Sequence, residues 1–359
     1  MRILQVITSL YTGGAEKLIV DLVPLYKEQG YDVDILLFDG TETPFKKQLQ
    51  EKGVRIYHLG IGGSVYNPLF VLKLIPFLKH YDIVHTHNTA CQFFVALTKS
   101  LFYRKVKLIT TEHSSNNRRR NIVWFYSIDK FMYNQYDTII SISNLTADLL
   151  EQYLGISYPI KTIENGVNIS IFQQAEPLDR NILYSTSLLC MITMVAGFRK
   201  EKDQDTLIRA MVFLPPEYKL CLVGDGERRK ICENLVKKLG LVDRVVFTGV
   251  RTDISQVLKT SDIIVMSSYY EGLSLSSIEG MSVGKPFIAS DVNGLREIVE
   301  GAGILFPQGN AEILAIIIKK LMNDKEYYRI VADQCMQRAS EYDIRKMVNA
   351  YLEEYKKLI

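Results

Sequence analysis

At 359 residues the chain exceeds the size of one ordinary hydrophobic core, so two domains are expected. Its 47% hydrophobic and 23% charged residues, with ten prolines and 22 glycines scattered along the chain, exclude a disordered or collagen-like protein. Charge nearly cancels, at 43 basic against 40 acidic side chains, and five dispersed cysteines without a CxxC pair point to buried reduced thiols in a cytosolic protein.

The opening Met1-Arg-Ile-Leu-Gln-Val-Ile-Thr8 is too short an apolar segment for a signal sequence and reads as a strand. Runs rich in Ile, Val and Leu then alternate with amphipathic stretches. Strands are predicted at Arg2–Thr8, Asp32–Phe38, Val54–Leu59, Asp82–His87, Lys107–Thr111, Thr138–Ile142 and Lys161–Ile163. Helices are predicted at Ala15–Gln29, with a kink at Pro24, and at Pro44–Glu51, Pro68–Lys79, Thr89–Phe102 and Asn144–Tyr153. After a polar stretch at Asn165–Ser187 the alternation restarts. Its strands are Met191–Ala196, Lys219–Val223, Arg244–Thr248, Ile263–Ser267, Pro286–Ser290 and Gly303–Phe306. Continuous apolarity suits strands buried on both faces, so the fold class is α/β with two doubly wound parallel sheets. A final helix at Tyr342–Leu358 offers Met347, Tyr351, Tyr355 and Leu358 on one face. No run of 18 apolar residues is present, so no membrane span is expected.

In doubly wound sheets ligands bind beyond the carboxyl ends of the strands. The richest such window runs from Ser267 to Pro286, where a strand gives way to a Glu271-Gly272 turn and a helix that starts near Ser274. Unclaimed amides at a helix start favour an anion, and Glu271 and Glu279 place two acids beside it, suited to sugar hydroxyls and a ribose diol.

Glu271-x7-Glu279, followed by Gly284-Lys-Pro286 and Asp291-Val-Asn-Gly294, resembles the signature of retaining glycosyltransferases of family 4. Further matches are Thr12-Gly13-Gly14-Ala15-Glu16, Thr111-Glu-His113, Glu164-Asn-Gly-Val-Asn168 and Gly224-Asp-Gly226, spread over almost the whole chain. The resemblance implies a GT-B fold of two Rossmann-like domains facing a central cleft. It assigns residues 1–166 to the acceptor side, 167–340 to the nucleotide sugar, and 341–359 to a helix that crosses back. It implies a metal-independent hexosyltransferase that moves a sugar from a nucleotide diphosphate, with a UDP-sugar favoured because uridine is common in the family, to a glycan or lipid-linked glycan of bacterial surface polysaccharide. Catalytic roles would fall to Glu271, His113, Lys202 and Arg199. The donor would meet Gly13, Gly14, Gly224, Gly272, Leu273, Ser274, Leu275 and Glu279. One departure is Gly197, where many relatives carry an arginine, and Arg199 is the candidate substitute. Of His85 and His87, one is expected to reach the site, and His87 is favoured as an acceptor contact. Alternatives within the same architecture are a sugar-nucleotide epimerase or an inactive accessory subunit.

Asp32-Val-Asp34 and Asp203-Gln-Asp205 have the spacing of a metal-binding DxD pair. The first is embedded in a strand and the second opens a helix, so strand solubility and N-capping explain them, and no metal, cofactor or nucleic-acid partner is expected. Residues 69–130 hold ten basic side chains against three acidic ones. With Leu69–Lys79 mixing apolar residues and lysines, they point to a cytoplasmic protein in peripheral contact with an anionic membrane.

Overall fold

The computed structural model describes residues 1–11, 13–113, 122, 124–155, 160–182 and 190–359. Thr12, the Arg118–Arg120 run and the latter part of the 165–187 stretch lie outside the described residues. The chain divides into two compact units. One holds Met1–Gly166 together with Ile344–Ile359, and the other holds Val167–Asp343.

The first unit is built on seven parallel strands: β1 (Arg2–Ile7), β2 (Asp32–Asp39), β3 (Ile56–Gly60), β4 (Ile83–Thr86), β5 (Lys107–Glu112), β6 (Thr138–Ser141) and β7 (Ile160–Thr162). Their spatial order is β3-β2-β1-β4-β5-β6-β7, so the winding reverses between β1 and β4. Successive side chains alternate between two apolar layers. Ile3, Ile35, Ile83 and Ile109 face the helix Gly14–Glu28 and the final helix Ile344–Leu358. Leu4, Leu36, Val84 and Leu108 face the opposite layer, which includes helices Phe70–His80 and Thr89–Phe102. Helix Gly14–Glu28 runs through Pro24 as one element. A helix absent from the sequence pattern, Phe125–Tyr133, precedes β6 and buries Met132 and Tyr133.

The second unit repeats the plan with six parallel strands: β8 (Cys190–Val195), β9 (Tyr218–Val223), β10 (Val245–Gly249), β11 (Ile263–Met266), β12 (Phe287–Ser290) and β13 (Ile304–Phe306). The order β10-β9-β8-β11-β12-β13 reverses between β8 and β11. The helix Leu275–Ser282 lies close on this sheet at Gly280, where a Cβ would stand 2.9 Å from Ile264 and 3.0 Å from Phe287. All five cysteines are buried and unpaired. Among the described residues no helix is long and apolar enough to cross a membrane.

The final helix buries Ile344, Met347, Val348, Tyr351, Leu352 and Tyr355, a stripe at three- and four-residue spacing. Leu352 is 2% exposed whereas Leu72, on the outer side of helix Phe70–His80, is 57% exposed. Leu352→Ala is therefore expected to cost about 2–5 kcal/mol, and Leu72→Ala less than about 0.5 kcal/mol, in urea unfolding followed by circular dichroism.

Candidate functional site

The reversal between β8 and β11 brings together the loops that leave those two strands. Lys202 ends the turn Lys200–Lys202 after β8, and Glu271 lies in the loop after β11. The Lys202 ammonium donates to both carboxylate oxygens of Glu271, at 2.6 and 2.7 Å, and the Ser268 hydroxyl donates to Oε1 at 2.6 Å. Both side chains are largely shielded, Glu271 at 9% exposure and Lys202 at 21%, so this charge pair is screened little by salt.

Backbone bonds stitch the loops together. The Tyr269 amide donates to the Glu201 carbonyl at 2.8 Å, and the Ser267 hydroxyl donates to the Asp203 carbonyl at 2.8 Å. Asp203 caps helix Gln204–Ala210 from a left-handed conformation, φ +45°. The loop after β12 supports the other side, with the Glu271 amide donating to the Asn293 carbonyl at 3.3 Å. Gly294 has φ +84°, and a Cβ there would stand 2.1 Å from the Glu271 carbonyl oxygen. Gly224, at φ +130°, likewise leaves no room: its Cβ would meet the Ala196 carbonyl oxygen at 2.2 Å, in the segment leading to Lys202. Glycine at 224 and 294 is thus demanded by conformation and by close backbone approach.

Gly272 differs. Its Cβ position is open space, so packing within the protein does not explain the residue. Among the described residues no protein acceptor meets the amides of Gly272, Leu273, Ser274 or Leu275, which lead into helix Leu275–Ser282. Glu279 is half-buried on that helix. Arg199 is exposed and makes no side-chain bond among the described residues, so the structure does not bring it to the Lys202–Glu271 pair. Ser268 was not foreseen as a site residue; its position three residues before Glu271 at a strand end was the available signal.

In the first unit, Gly13 caps helix Gly14–Glu28 without a side chain. A Cβ on Gly13 would meet the Glu16 carboxylate at 2.2 Å, while Gly14 faces open space. Burial raises the pKa of Glu16. His113 follows β5, and its Nε2 lies 3.0 Å from His87 Nδ1. The expectation that only one of His85 and His87 could face the site is corrected here. Residues two apart in a strand share a face, and the two rings lie 4.3 Å apart on one side of the sheet, against Gln5, Thr111 and the final helix. Burial pushes His113 down to about 4 and holds His85 and His87 well below the usual histidine range.

The two DxD-spaced pairs have structural partners. Asp32 accepts from Arg55, and Asp34, which is buried rather than a solubilising surface acid, accepts from Arg55 at 2.9 Å and from Tyr81. Asp203 caps its helix and Asp205 pairs with Arg228. Among the described residues no cluster of His, Cys, Asp and Glu is set to hold a metal. The basic excess is smaller than counted, because Lys99 and Lys107 both bind Asp137, at 2.7 and 3.2 Å, which lies beyond the 69–130 window.

Residues 12–171 match the profile described as Glycosyltransferase Family 4, and residues 189–338 match that of Glycosyl transferases group 1. The chain is 27% identical over 349 residues to the lipopolysaccharide core biosynthesis glycosyltransferase LpsD of Rhizobium meliloti (strain 1021), covering 95% of this chain and 94% of LpsD. It is 25% identical over 290 residues to N-acetyl-alpha-D-glucosaminyl L-malate synthase of Bacillus anthracis, 76% of this chain and 74% of that enzyme. Among solved structures, Anabaena HepE in complex with UDP matches with a TM-score of 0.83 at 23% identity, over 99% of this chain and 100% of that one. At such identity the likeness is one of fold.

Two outcomes follow from the site geometry. Gly294→Ala should displace the Glu271–Gly272 turn and cost about 1–3 kcal/mol, readable as a lowered urea midpoint. The three depressed histidines make stability fall with acid. Below their ordinary pKa near 6.5 the unfolded chain binds protons that the folded chain does not, for His113 down to about 4. Unfolding free energy, from urea melts at each pH, should drop by up to about 4 kcal/mol from pH 6 to pH 5, the three histidines sharing it. His113→Gln should remove about a third of that slope.

Proposed function

The chain belongs to the glycosyltransferases of family 4 and has their GT-B fold, and from that premise we propose that it transfers a sugar from a UDP-sugar to a glycan or lipid-linked glycan acceptor, with retention at the anomeric carbon and without a metal, in bacterial surface polysaccharide synthesis. The observation that carries this reading is the Lys202–Glu271 pair at the strand reversal of the second unit, beside four amides with no protein acceptor among the described residues. The relatives support the donor and acceptor classes, since HepE has been solved with UDP and with UDP-glucose and LpsD is named for lipopolysaccharide core synthesis.

The chemistry follows from charge. A departing nucleotide diphosphate gains negative charge as the anomeric bond breaks, and stabilisation counts where charge develops. The amides of Gly272 to Leu275 point a helix start at the diphosphate, and Gly272 leaves room for it. Lys202, held by Glu271 in the absence of donor, turns part of its charge to the phosphates. Glu271 is freed to accept from the sugar's hydroxyls, which orients the ring for the bond that breaks. Glu279 takes the ribose diol. The leaving diphosphate takes the acceptor's proton on the same face, which yields retention without a separate strong base. Lys202 and the amides replace a divalent ion.

The same reading places the first unit in peripheral contact with an anionic membrane. Leu69 and Leu72 are exposed beside Lys73 and Lys79 on helix Phe70–His80, whose Phe70, Leu74 and Leu78 pack on the sheet. Arg104 and Lys105 stand exposed nearby in sequence.

Thermal-shift screening with a panel of nucleotide sugars, followed by a turnover assay, tests the donor. Glu279→Gln should raise KM about tenfold with kcat near the parent value, the pattern of lost uniform binding. Glu271→Gln should lower kcat by about 100-fold, and excess chelator should leave turnover intact. Parent kinetics in both variants, or activity abolished by chelator and restored by magnesium, would refute the assignment. In flotation, binding should require anionic vesicles and weaken with salt, each lysine or arginine near the surface contributing about 1 kcal/mol. Equal binding to neutral vesicles would defeat the membrane contact.

A further inference from the structure

Unclaimed donors also gather in the first unit, at the amino ends of β5 and β6. A cavity of about 420 Å³ opens there, between the last turn of helix Thr89–Phe102 and residues 134–137, which lead into β6. Lys99, Ser100, Arg104, Gln135 and Asp137 line it. Its charges do not balance. The Lys99 ammonium donates to the Gln135 carbonyl at 2.9 Å and to Asp137 at 2.7 Å. Lys107 donates to the other oxygen of the same carboxylate at 3.2 Å. One carboxylate thus serves two ammonium groups, which leaves one positive charge over, and Arg104 adds a second. An ammonium has three donors, so Lys99 keeps one unused. Among the described residues the Arg104 guanidinium and the Ser100 hydroxyl have no protein partner. Three donor groups therefore converge on one cavity, and an anion is the acceptor that suits them.

The surface beside the cavity says which kind of anion. Leu101 and Phe102 lie between Ser100 and Arg104 in the chain, and they stand 61% and 47% exposed. The Thr98 hydroxyl donates to the Val71 carbonyl at 3.3 Å. That bond sets the end of helix Thr89–Phe102 against the first turn of helix Phe70–His80, where Leu69 and Leu72 are exposed. Four large apolar side chains thus stand in solvent on neighbouring turns, with a cationic cavity beside them. Water disfavours such a patch, whereas the boundary between acyl chains and headgroups accommodates both halves of it. A soluble anion would use the cations alone. A lipid phosphate uses the cations and the apolar residues together.

We propose that this cavity binds the phosphate of a membrane lipid and selects a phosphomonoester headgroup, with Leu101 and Phe102 set at the acyl boundary. A monoester offers three terminal oxygens to the three donor groups of Lys99, Ser100 and Arg104, whereas a diester keeps only two. The inference rests on the membrane contact proposed above and adds to it a defined pocket and one class of lipid. Asp137 sets the affinity, because it occupies lysine donors that the phosphate would otherwise take.

The test floats the full chain with phosphatidylcholine vesicles that carry either phosphatidic acid or phosphatidylglycerol, adjusted to equal zeta potential. The parent should bind the phosphatidic acid vesicles about tenfold more tightly, the worth of one added charge-assisted hydrogen bond. Arg104→Ser and Ser100→Ala should each narrow that ratio to about threefold or less. Lys238→Ser, an equal loss of charge at an exposed position of the second unit, should leave the ratio unchanged. Asp137→Asn keeps an acceptor for the Leu108 amide but removes the competing charge. It should bind phosphatidic acid about threefold more tightly than the parent, a gain that misfolding cannot produce. Equal affinity of the parent for the two lipids, or a ratio unmoved in both Arg104→Ser and Ser100→Ala, would overturn the pocket and leave the membrane contact standing. No binding to either anionic vesicle would refute the membrane contact and the pocket together. Inorganic phosphate bound through Arg104, with no preference between the vesicles, would assign the cavity to a soluble phosphate and refute the lipid.

Discussion

A parallel sheet wound in both directions must reverse somewhere, and at that point two neighbouring loops leave in opposite directions and open a crevice beyond the strand ends. Both units have this constraint, between β1 and β4 and between β8 and β11. It explains why residues 69 positions apart, Lys202 and Glu271, form one ion pair, and why glycines gather where loops cross. Strand order, not sequence proximity, selects which side chains can act together.

The loops of the second unit are rigid for a reason that can be stated atom by atom. The segment after β8 is locked to the glycine turn after β9, where Gly224 leaves no space for a Cβ. The loop after β11 is locked to that after β12, with Gly294 under the Glu271 carbonyl. These backbone contacts hold the ammonium and carboxylate beside amides that have no protein acceptor among the described residues. Gly272 is left in open space, so the same cluster that is tight against the protein is loose where a ligand would approach.

The first unit solves a different problem. A row of polar groups inside an apolar layer is costly unless every group is satisfied, and a satisfied row is directional and specific. Gln5, His85, His87, Thr111 and two tyrosines meet that condition, and the final helix supplies both hydroxyls. The helix that closes the chain is therefore part of the layer that satisfies this row.

Much of the fold was legible locally. Uninterrupted Ile/Val/Leu runs announce strands buried on both faces, and the restart after Asn165 announces a second unit; the observed strands match those runs to within a residue or two. Glu271 and the helix start after Gly272 were singled out because ligands meet such sheets beyond the strand ends, and Lys202 was singled out by the family resemblance; that Lys202 and Glu271 form one ion pair was not written in either. What stayed hidden involves partners far apart in sequence. Asp137 takes Lys99 and Lys107, Arg55 and Tyr81 bury Asp34, and Arg199 is left in solvent. Gln5, visible as a polar residue in an apolar strand, finds its partner only in Tyr355, 350 positions later. Periodicities of 2 and 3.6 residues are written into a few consecutive side chains, so sequence alone determined the strands and many of the helices, though not Phe125–Tyr133. Charge pairing and buried polar contacts depend on distances of about 3 Å between strands, so only the tertiary structure decided them.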